Sequence, residues 1–335
     1  MSHRNNFTLL RLILAIMIAV GHGYAITGHP YNQPISPDSK MWRSVILDMF
    51  FFISGYLVTG SALQSKNFFS FLMKRVLRIY PALIVTVLFT VFVLGAIFST
   101  FSLGNYFTSP VTWKYLFTLS GIHIEYSLPA LFKSNPDTSV NSSLWTLALE
   151  LKLYLGLSLC YVTKFLFTKY YRWVAVVLAL FFTTLAVTGF TIKGDAYNIA
   201  MWPLIAIFLT GSAMQMFKCS LKIIVMLFIS SFIILGLQSA GILLYRIYID
   251  ELIFYSTLAL LLANNFNLGF YLKNDYSYGL YLYAFPIQQV LVQLSGNKMH
   301  PAVNIALTLL IAGCIAVLSW KYIEKPSLNL KKYLN

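Results

Sequence analysis

A few charged or titratable side chains lie inside otherwise apolar stretches of this 335-residue chain. The first apolar segment, Phe7–Ile26, carries Arg11 and His22 with ten residues between them. On a helix these two side chains share a face and lie about 16 Å apart along its axis. Because a charge inside a membrane span is costly, such residues usually face a protein interior or a water-filled cavity. There, an imidazole can act as a general base and a guanidinium can bind an anion.

Two acidic residues extend this set of candidates. Asp48 lies near the start of the second apolar segment, at the same expected depth as His22, and Glu150 lies in the fourth. A carboxylate beside an imidazole orients the ring and stabilises its protonated form, as in hydrolase triads. Asp48 and Glu150 are both candidates for that role, while Glu150 could instead pair with Arg11 or Lys152.

A basic stretch after the second segment, SKNFFSFLMKRVLRIYP, contains Arg75 and Arg78 one helical turn apart. This spacing puts both guanidinium groups on one helix face, which suits the binding of phosphate. Simpler explanations exist for both basic pairs. Arg75 and Arg78 could only set membrane topology, and Arg11 and His22 could lie at opposite membrane interfaces. The spacing alone leaves both explanations open.

The elements that must hold these residues are membrane helices. Hydrophobic residues make up 59% of the chain and charged residues 10%, a balance that soluble domains do not show. The net charge of +14 lies in short basic clusters between apolar segments, which indicates membrane topology and not nucleic-acid binding. Cys160, Cys219 and Cys314 form no CxxC pair and no metal-binding pattern. We therefore expect an all-α, polytopic membrane bundle that binds neither metal nor nucleic acid.

Ten apolar segments are long enough to be membrane spans. Fifteen Lys and Arg residues fall in the termini and even-numbered gaps, against seven in the odd-numbered gaps, which predicts that both termini are cytoplasmic. Residues 100–143 then form one long external loop. We expect a single transmembrane domain over residues 1–335, with no fused soluble domain. The predicted spans are residues 7–26, 44–63, 79–99, 144–163, 174–192, 197–216, 222–240, 248–265, 277–295 and 301–320.

Five segments of the chain, taken in order, resemble acyltransferase family 3, a family of bacterial integral-membrane O-acyltransferases. They are RLILAIMIAVGH, DMFFFISGYLVTGS, KRVLRIYP, SLWTLALELKLYL and SYGLYLYAFP, and the match runs from Arg11 to about Pro326. The resemblance implies a multi-pass enzyme of the inner membrane that moves an acyl group, usually acetyl from acetyl-CoA. The implied acceptor is a hydroxyl of an envelope glycan such as lipopolysaccharide O-antigen, capsule or exopolysaccharide, or of a lipid-linked saccharide.

The resemblance also assigns roles to individual residues. Many relatives have a histidine at the position of Ala284, so any role of that histidine is absent or redundant here. The family's arginine–histidine pair corresponds to Arg11 and His22, its R-x-x-R motif to Arg75 and Arg78, and its buried glutamate to Glu150.

The residues and the resemblance together predict transfer of acetyl across the bilayer. Cytosolic acetyl-CoA would place its phosphates on the three arginines and extend its pantetheine arm towards His22. His22 would act as general base on a sugar hydroxyl arriving from outside, with Asp48 or Glu150 as its partner. Direct transfer and an acyl-histidine intermediate are both compatible with the sequence.

Two other classes of membrane protein remain as alternatives. A transporter or carrier would also place Arg, His and Glu side chains in a helical bundle, but such folds usually contain internal repeats. No clear repeat is present in the sequence. A purely structural or binding protein would need neither His22 nor Glu150.

Overall fold

The computed structural model describes residues 6–29, 40–192, 196–240, 248–264 and 272–334 of the chain. These residues form helices, short 3-10 or π-helical turns and loops, with no strand among them. The expected all-α class is therefore confirmed. Both chain ends lie outside the described residues, so their cytoplasmic location stays a prediction.

Each of the ten predicted spans coincides with a long helix, numbered here α1 to α10. Hydropathy misplaced two boundaries. Helix α3 begins well before residue 79, and hydropathy missed its first turns because they are basic and amphipathic. Helix α10 continues past residue 320 through a π-helical turn. The helices are Phe7–Ile26, Lys40–Leu63, Phe68–Phe98, Leu144–Val162, Tyr171–Thr188, Ala196–Phe217, Leu221–Ser239, Tyr248–Asn264, Ser277–Leu294 and Pro301–Tyr333.

Within the described part of the chain, eight helices are long and apolar enough to cross a membrane. They are α1 to α7 and α10. The apolar part of α8 is shorter, covering Glu251–Ala263, and α9 carries three glutamines among its 18 residues. The structure thus supports a multi-pass helical protein, and the count of ten crossings stays a prediction.

The chain divides into two compact units, each assembled from separate stretches of sequence. Each of the helices α1 to α4 is divided between the two units. The expectation of one transmembrane domain stays a prediction. The first unit is Met1–Leu14, Ser44–Phe68 and Leu153–Lys273, and the second is Ala15–Arg43, Phe69–Lys152 and Asn274–Asn335.

In the first unit, α2 and α6 pack backbone against backbone. A Cβ added to Gly55 would lie 2.1 Å from the carbonyl oxygen of Phe208, and one added to Gly211 would lie 2.4 Å from that of Phe52. Small residues allow membrane helices to approach this closely. The ISGYLVTGS segment of α2 is therefore a packing motif in this fold.

In the second unit, the C-terminal segment packs along α3. Pro81 has no N–H, so the carbonyl of Leu77, four residues earlier, loses its helical donor. The hydroxyl of Ser327 donates to that carbonyl over 3.0 Å. Ser70 in turn donates to the carbonyl of Leu334 over 2.6 Å. The residues after the last predicted span therefore form part of the fold.

A second proline is compensated in the same way in α9. Pro286 leaves the carbonyl of Leu282 without a helical donor, and Asn141 Nδ2 donates to it over 3.1 Å. Asn141 is fully buried, and its own side-chain oxygen accepts a 2.6 Å hydrogen bond from Ser143 Oγ. This cap ties the end of the long loop to the middle of α9.

The glutamines of α9 hold the long loop in place. Gln289 is buried, and its Nε2 donates to the carbonyls of Asp137 and Ser139 over 2.9 and 2.7 Å. Gln293 Nε2 donates to the carbonyl of Phe98 over 2.9 Å. These amides therefore anchor the backbone that follows α3 and precedes α4.

The loop folds back onto the end of α3. A π-helical segment at Thr90–Gly95 interrupts the regular hydrogen-bond pattern, and the hydroxyl of Tyr106 donates to the Val91 carbonyl over 2.9 Å. The phenol fits there because residue 95 is a glycine, whose added Cβ would overlap with it. The loop contains the short helical segments Leu103–Thr108, Pro110–Lys114 and Tyr115–Ser120.

The proline caps predict a specific dependence between two substitutions. Asn141→Ala should lower the free energy of unfolding by about 1–3 kcal/mol, because it leaves the Leu282 carbonyl buried without a donor. In a Pro286→Ala background the backbone N–H returns, so the same substitution should cost much less. Thermal denaturation of the four proteins in detergent measures this difference.

Asn105→Ala is the matched control, since Asn105 is exposed in the loop and its loss should leave stability unchanged. If Asn141→Ala costs the same with and without Pro286, Asn141 does not act as the donor that the proline makes necessary.

Candidate active site

The six residues expected at the site divide between the two units. Each is therefore described within its own unit, and their assembly into one cavity stays a prediction. Arg11 and Asp48 belong to the first unit, and His22, Arg75, Arg78 and Glu150 belong to the second.

His22 lies half-buried on α1, on a turn that α9 holds. Its imidazole meets the ring of Phe285 edge-on, with ring centroids 5.1 Å apart and planes at 75°. One turn earlier, the Ala19 carbonyl accepts a 2.7 Å hydrogen bond from Gln288 Nε2. At Gly23, an added Cβ would come within 2.4 Å of an α10 side chain. These close contacts fix the position of the imidazole, as a general base requires.

Glu150 lies half-buried on α4, close to two tyrosines of α9. Its carboxylate is near enough to the phenol groups of Tyr278 and Tyr281 to interact with them electrostatically. The hydroxyl of Tyr281 lies 3.0 Å from Thr146 Oγ1 and donates to the carbonyl of Ser143. Helix α9 thus provides the surroundings of Glu150 as well as those of the histidine.

Arg78 binds two carboxylates of its own unit. Its Nη2 lies 2.6 Å from Asp275 Oδ2, and its Nη1 lies 3.2 Å from Glu324 Oε2. The guanidinium carbon also lies 5.4 Å from the centroid of the Tyr278 ring. The Arg78 side chain is only 13% exposed. It therefore joins α3 to the start of α9 and to the π-helical turn of α10.

The two carboxylates are themselves held in place. Asp275 precedes α9 and accepts a 3.2 Å hydrogen bond from the backbone N–H of Ser277, where the helix dipole favours negative charge. Glu324 is buried and accepts a 3.1 Å hydrogen bond from Ser319 Oγ. Sequence analysis missed both acids. The only signal that could have drawn attention to them is the small number of acidic residues in the chain, ten in all.

The two remaining arginines are half-buried. Arg75 lies on α3 one turn before Arg78. Arg11 belongs to the first unit, where its guanidinium carbon lies 5.6 Å from the centroid of the Phe50 ring, within range of a cation–π interaction. The role of both arginines in binding an anionic donor stays a prediction.

Asp48 shares a small cavity of the first unit with a second acid. The cavity has a volume of about 10 Å³, room for roughly one water molecule, and its lining includes Thr183, Pro203 and Glu251. Asp48 is 6% exposed, and its Oδ1 accepts no hydrogen bond from the residues that the structure describes. The expected pairing of Asp48 with His22 stays a prediction.

The described residues contain no group of three His, Cys, Asp or Glu side chains that could hold a metal ion. The second unit contains the imidazole of His22 on α1, the carboxylate of Glu150 on α4 and the ion pairs of Arg78. Acyl transfer from a thioester to a hydroxyl can proceed with groups of these kinds.

Comparison with known proteins places the chain in a family. A family model of acyltransferase family 3, described as an acyltransferase domain, matches residues 4–323. The chain belongs to acyltransferase family 3. The resemblance inferred from five sequence segments is thereby confirmed, and the protein is an acyltransferase.

Two curated relatives are similar to this acyltransferase. An O-acetyl transferase of Shigella phage Sf6 is 31% identical over 344 residues, covering 98% of this chain and 97% of the phage protein. Nodulation protein 10 of Rhizobium leguminosarum bv. viciae is 34% identical over 167 residues, covering 46% of this chain and 43% of its own. No solved structure matches this acyltransferase.

The arginine network predicts a coupled loss of stability. Arg78→Gln should lower the free energy of unfolding by about 3–5 kcal/mol, because the buried carboxylate of Glu324 and the partly buried one of Asp275 lose their cation. Adding Glu324→Gln should restore part of that loss, since it removes one of the two unpaired charges. Thermal denaturation of the two single variants and the double variant measures the coupling.

Lys66→Gln provides the control, because Lys66 is an exposed basic residue that precedes α3. Strictly additive costs of Arg78→Gln and Glu324→Gln would contradict a direct ion pair.

Proposed function

We propose that this acyltransferase is an O-acetyltransferase that moves acetyl from acetyl-CoA to a hydroxyl of a cell-envelope glycan. The acceptor class includes O-antigen, capsule, exopolysaccharide and their lipid-linked precursors. The observation that carries the proposal is similarity along almost the whole chain to a phage protein named as an O-acetyl transferase.

The proposed topology separates donor and acceptor. Ten helices cross the bacterial inner membrane within a single transmembrane domain, and both termini are cytoplasmic. The charge distribution supports this arrangement, since basic residues concentrate on one set of gaps. Acetyl-CoA then reaches the protein from the cytosol, and the glycan meets it at the outer side of the membrane.

His22 is the proposed general base. It accepts the proton of the sugar hydroxyl as the hydroxyl oxygen attacks the thioester carbonyl. Collapse of the tetrahedral intermediate breaks the carbon–sulfur bond, and the imidazolium returns the proton to the CoA thiolate. The products are an acetyl ester and the CoA thiol. The fixed turn of α1 beneath Phe285 and Gln288 supports this role.

Asp48 and Glu150 are the proposed carboxylate partners of the imidazole. A carboxylate that stabilises the imidazolium shifts the pH dependence of transfer when it is replaced by its amide. The assignment of Glu150 as this partner is supported by its position in the same unit as His22.

The arginines are proposed to bind the donor, but with different roles. Arg75 and Arg11 contact the CoA phosphates directly. Arg78 already binds two carboxylates, so we assign it mainly the positioning of α3, which carries Arg75.

Removing the imidazole tests the proposed chemistry. His22→Ala should reduce acetyl transfer by at least about 100-fold, the lower range of what a general base contributes. The assay is purified protein in liposomes with acetyl-CoA and the glycan, followed by thiol release and by ester signals in the NMR spectrum. His123→Ala, an exposed histidine of the loop, should transfer at the wild-type rate. Wild-type transfer by His22→Ala would remove His22 from catalysis.

Donor binding is tested by comparing two acetyl donors. Arg75→Gln should raise the KM for acetyl-CoA by roughly 10- to 100-fold, which corresponds to the loss of one charged hydrogen bond of about 1.5–3 kcal/mol. Acetyl-pantetheine lacks the phosphates, so its KM should not change. Arg75→Lys should retain part of the affinity. If Arg75→Gln impairs both donors equally, Arg75 does not bind phosphate.

A further inference from the structure

The loop between α3 and α4 exposes an unusual number of large apolar side chains. The side chain of Phe117 is 64% exposed and that of Trp113 is 47% exposed. Monomeric soluble proteins rarely leave a continuous patch of this kind in water. The same surface includes Phe101, Leu103, Val111, Ile122 and Tyr126. Most of these residues lie on or beside the short helical segments at residues 103–120, here called the loop helices.

The loop helices lie against the outward apolar surface of α3. Phe92 of α3 stacks on Phe107, with centroids 6.1 Å apart, and meets the edge of Trp113 at 6.2 Å. Phe92 belongs to an exposed apolar face of α3 that continues through Val93 and Ile97. It lies about 9 Å before the end of the helix. Trp113 therefore packs beside α3 before that helix ends, against its exposed apolar face.

Two exposed polar side chains of the loop helices form hydrogen bonds within the loop itself. The indole Nε1 of Trp113 donates to the carbonyl of Phe107 over 2.8 Å. The hydroxyl of Thr108 donates to the carbonyl of Gly104 over 2.9 Å. In water these groups need no protein partner, whereas in an apolar environment an unpaired donor is costly.

A charged rim borders the apolar patch. Lys114 Nζ and His123 Nε2 lie 3.1 and 2.8 Å from the same oxygen of Glu125. Burial raises the pKa of Glu125, but the hydrogen bonds and charges of His123 and Lys114 outweigh it, so the pKa is lowered overall. Glu125 is therefore ionised at neutral pH, and a charged carboxylate belongs in water or among lipid headgroups.

We propose that the loop helices lie in the membrane interface, with Trp113, Val111 and Phe117 among the lipid chains and the rim at headgroup level. The ligand is the lipid surface of the leaflet at the C-terminal end of α3. Amphipathic segments with aromatic anchors bind membranes in this way. In the proposed topology, this leaflet is the outer one.

Spin-label accessibility tests the proposal in the full-length protein. Single cysteines at Phe117 and Val111 are introduced after replacement of the three native cysteines, and the labelled protein is placed in liposomes. Both labels should collide more often with oxygen, which partitions into lipid, than with a water-soluble nickel chelate. A label at Lys133, an exposed residue of the same loop, should show the reverse, and one at Ile97 should match the lipid pattern.

Nickel accessibility at Phe117 and Val111 equal to that at Lys133 would overturn the proposal. Nickel contact that disappears when the glycan is added would also overturn it, in favour of a saccharide surface.

A second measurement needs no cysteine replacement. Phospholipids with a photoreactive diazirine at the acyl chain should label the unaltered protein within residues 103–120. Labelling of α3 without any labelling of residues 103–120 would contradict insertion of the loop helices.

Discussion

Inside a membrane, every backbone carbonyl must find its donor within the protein, and this requirement organises the second unit. Pro81 and Pro286 each leave one helix carbonyl without its regular partner. Ser327 and Asn141, which lie far away in sequence, supply the missing donors. Each of these hydrogen bonds also joins two elements of the fold. The carbonyl that a helix proline leaves without a donor thereby becomes the acceptor of a tertiary contact.

The polar side chains of α9 extend the same principle from the backbone to the candidate site. Gln288 bonds the turn of α1 just before His22, and Tyr281 lies within electrostatic reach of Glu150. An apolar α9 could pack in lipid but could not orient these groups. The polar side chains of α9 lower its hydropathy below that of the other long helices. The same side chains allow it to contact the residues of the candidate site.

Hydropathy was sufficient to predict the existence of the long helices and their approximate positions, because burial in lipid selects long apolar segments regardless of their tertiary partners. It was not sufficient to find the contacts. Arg78 and Glu324 are separated by 246 positions. The sequence around an acidic residue near a helix end does not indicate whether its side chain is solvated or buried. Likewise Asn141 is a polar residue just before α4 in the sequence, and only the proline of another helix explains its burial.

The charges around Arg78 limit where an anionic donor can bind. Its single positive charge faces the carboxylates of Asp275 and Glu324, and the nearby Tyr278 also lies within the field of Glu150. The formal charge of Arg78, Asp275 and Glu324 together is therefore negative, and a CoA phosphate placed against these two carboxylates would be repelled. In the proposed function the phosphate therefore binds further along α3 towards its N-terminus, where Arg75 follows Lys74. Arg78 joins α3 to the start of α9 and to α10 through its two ion pairs, and this structural role does not require the donor.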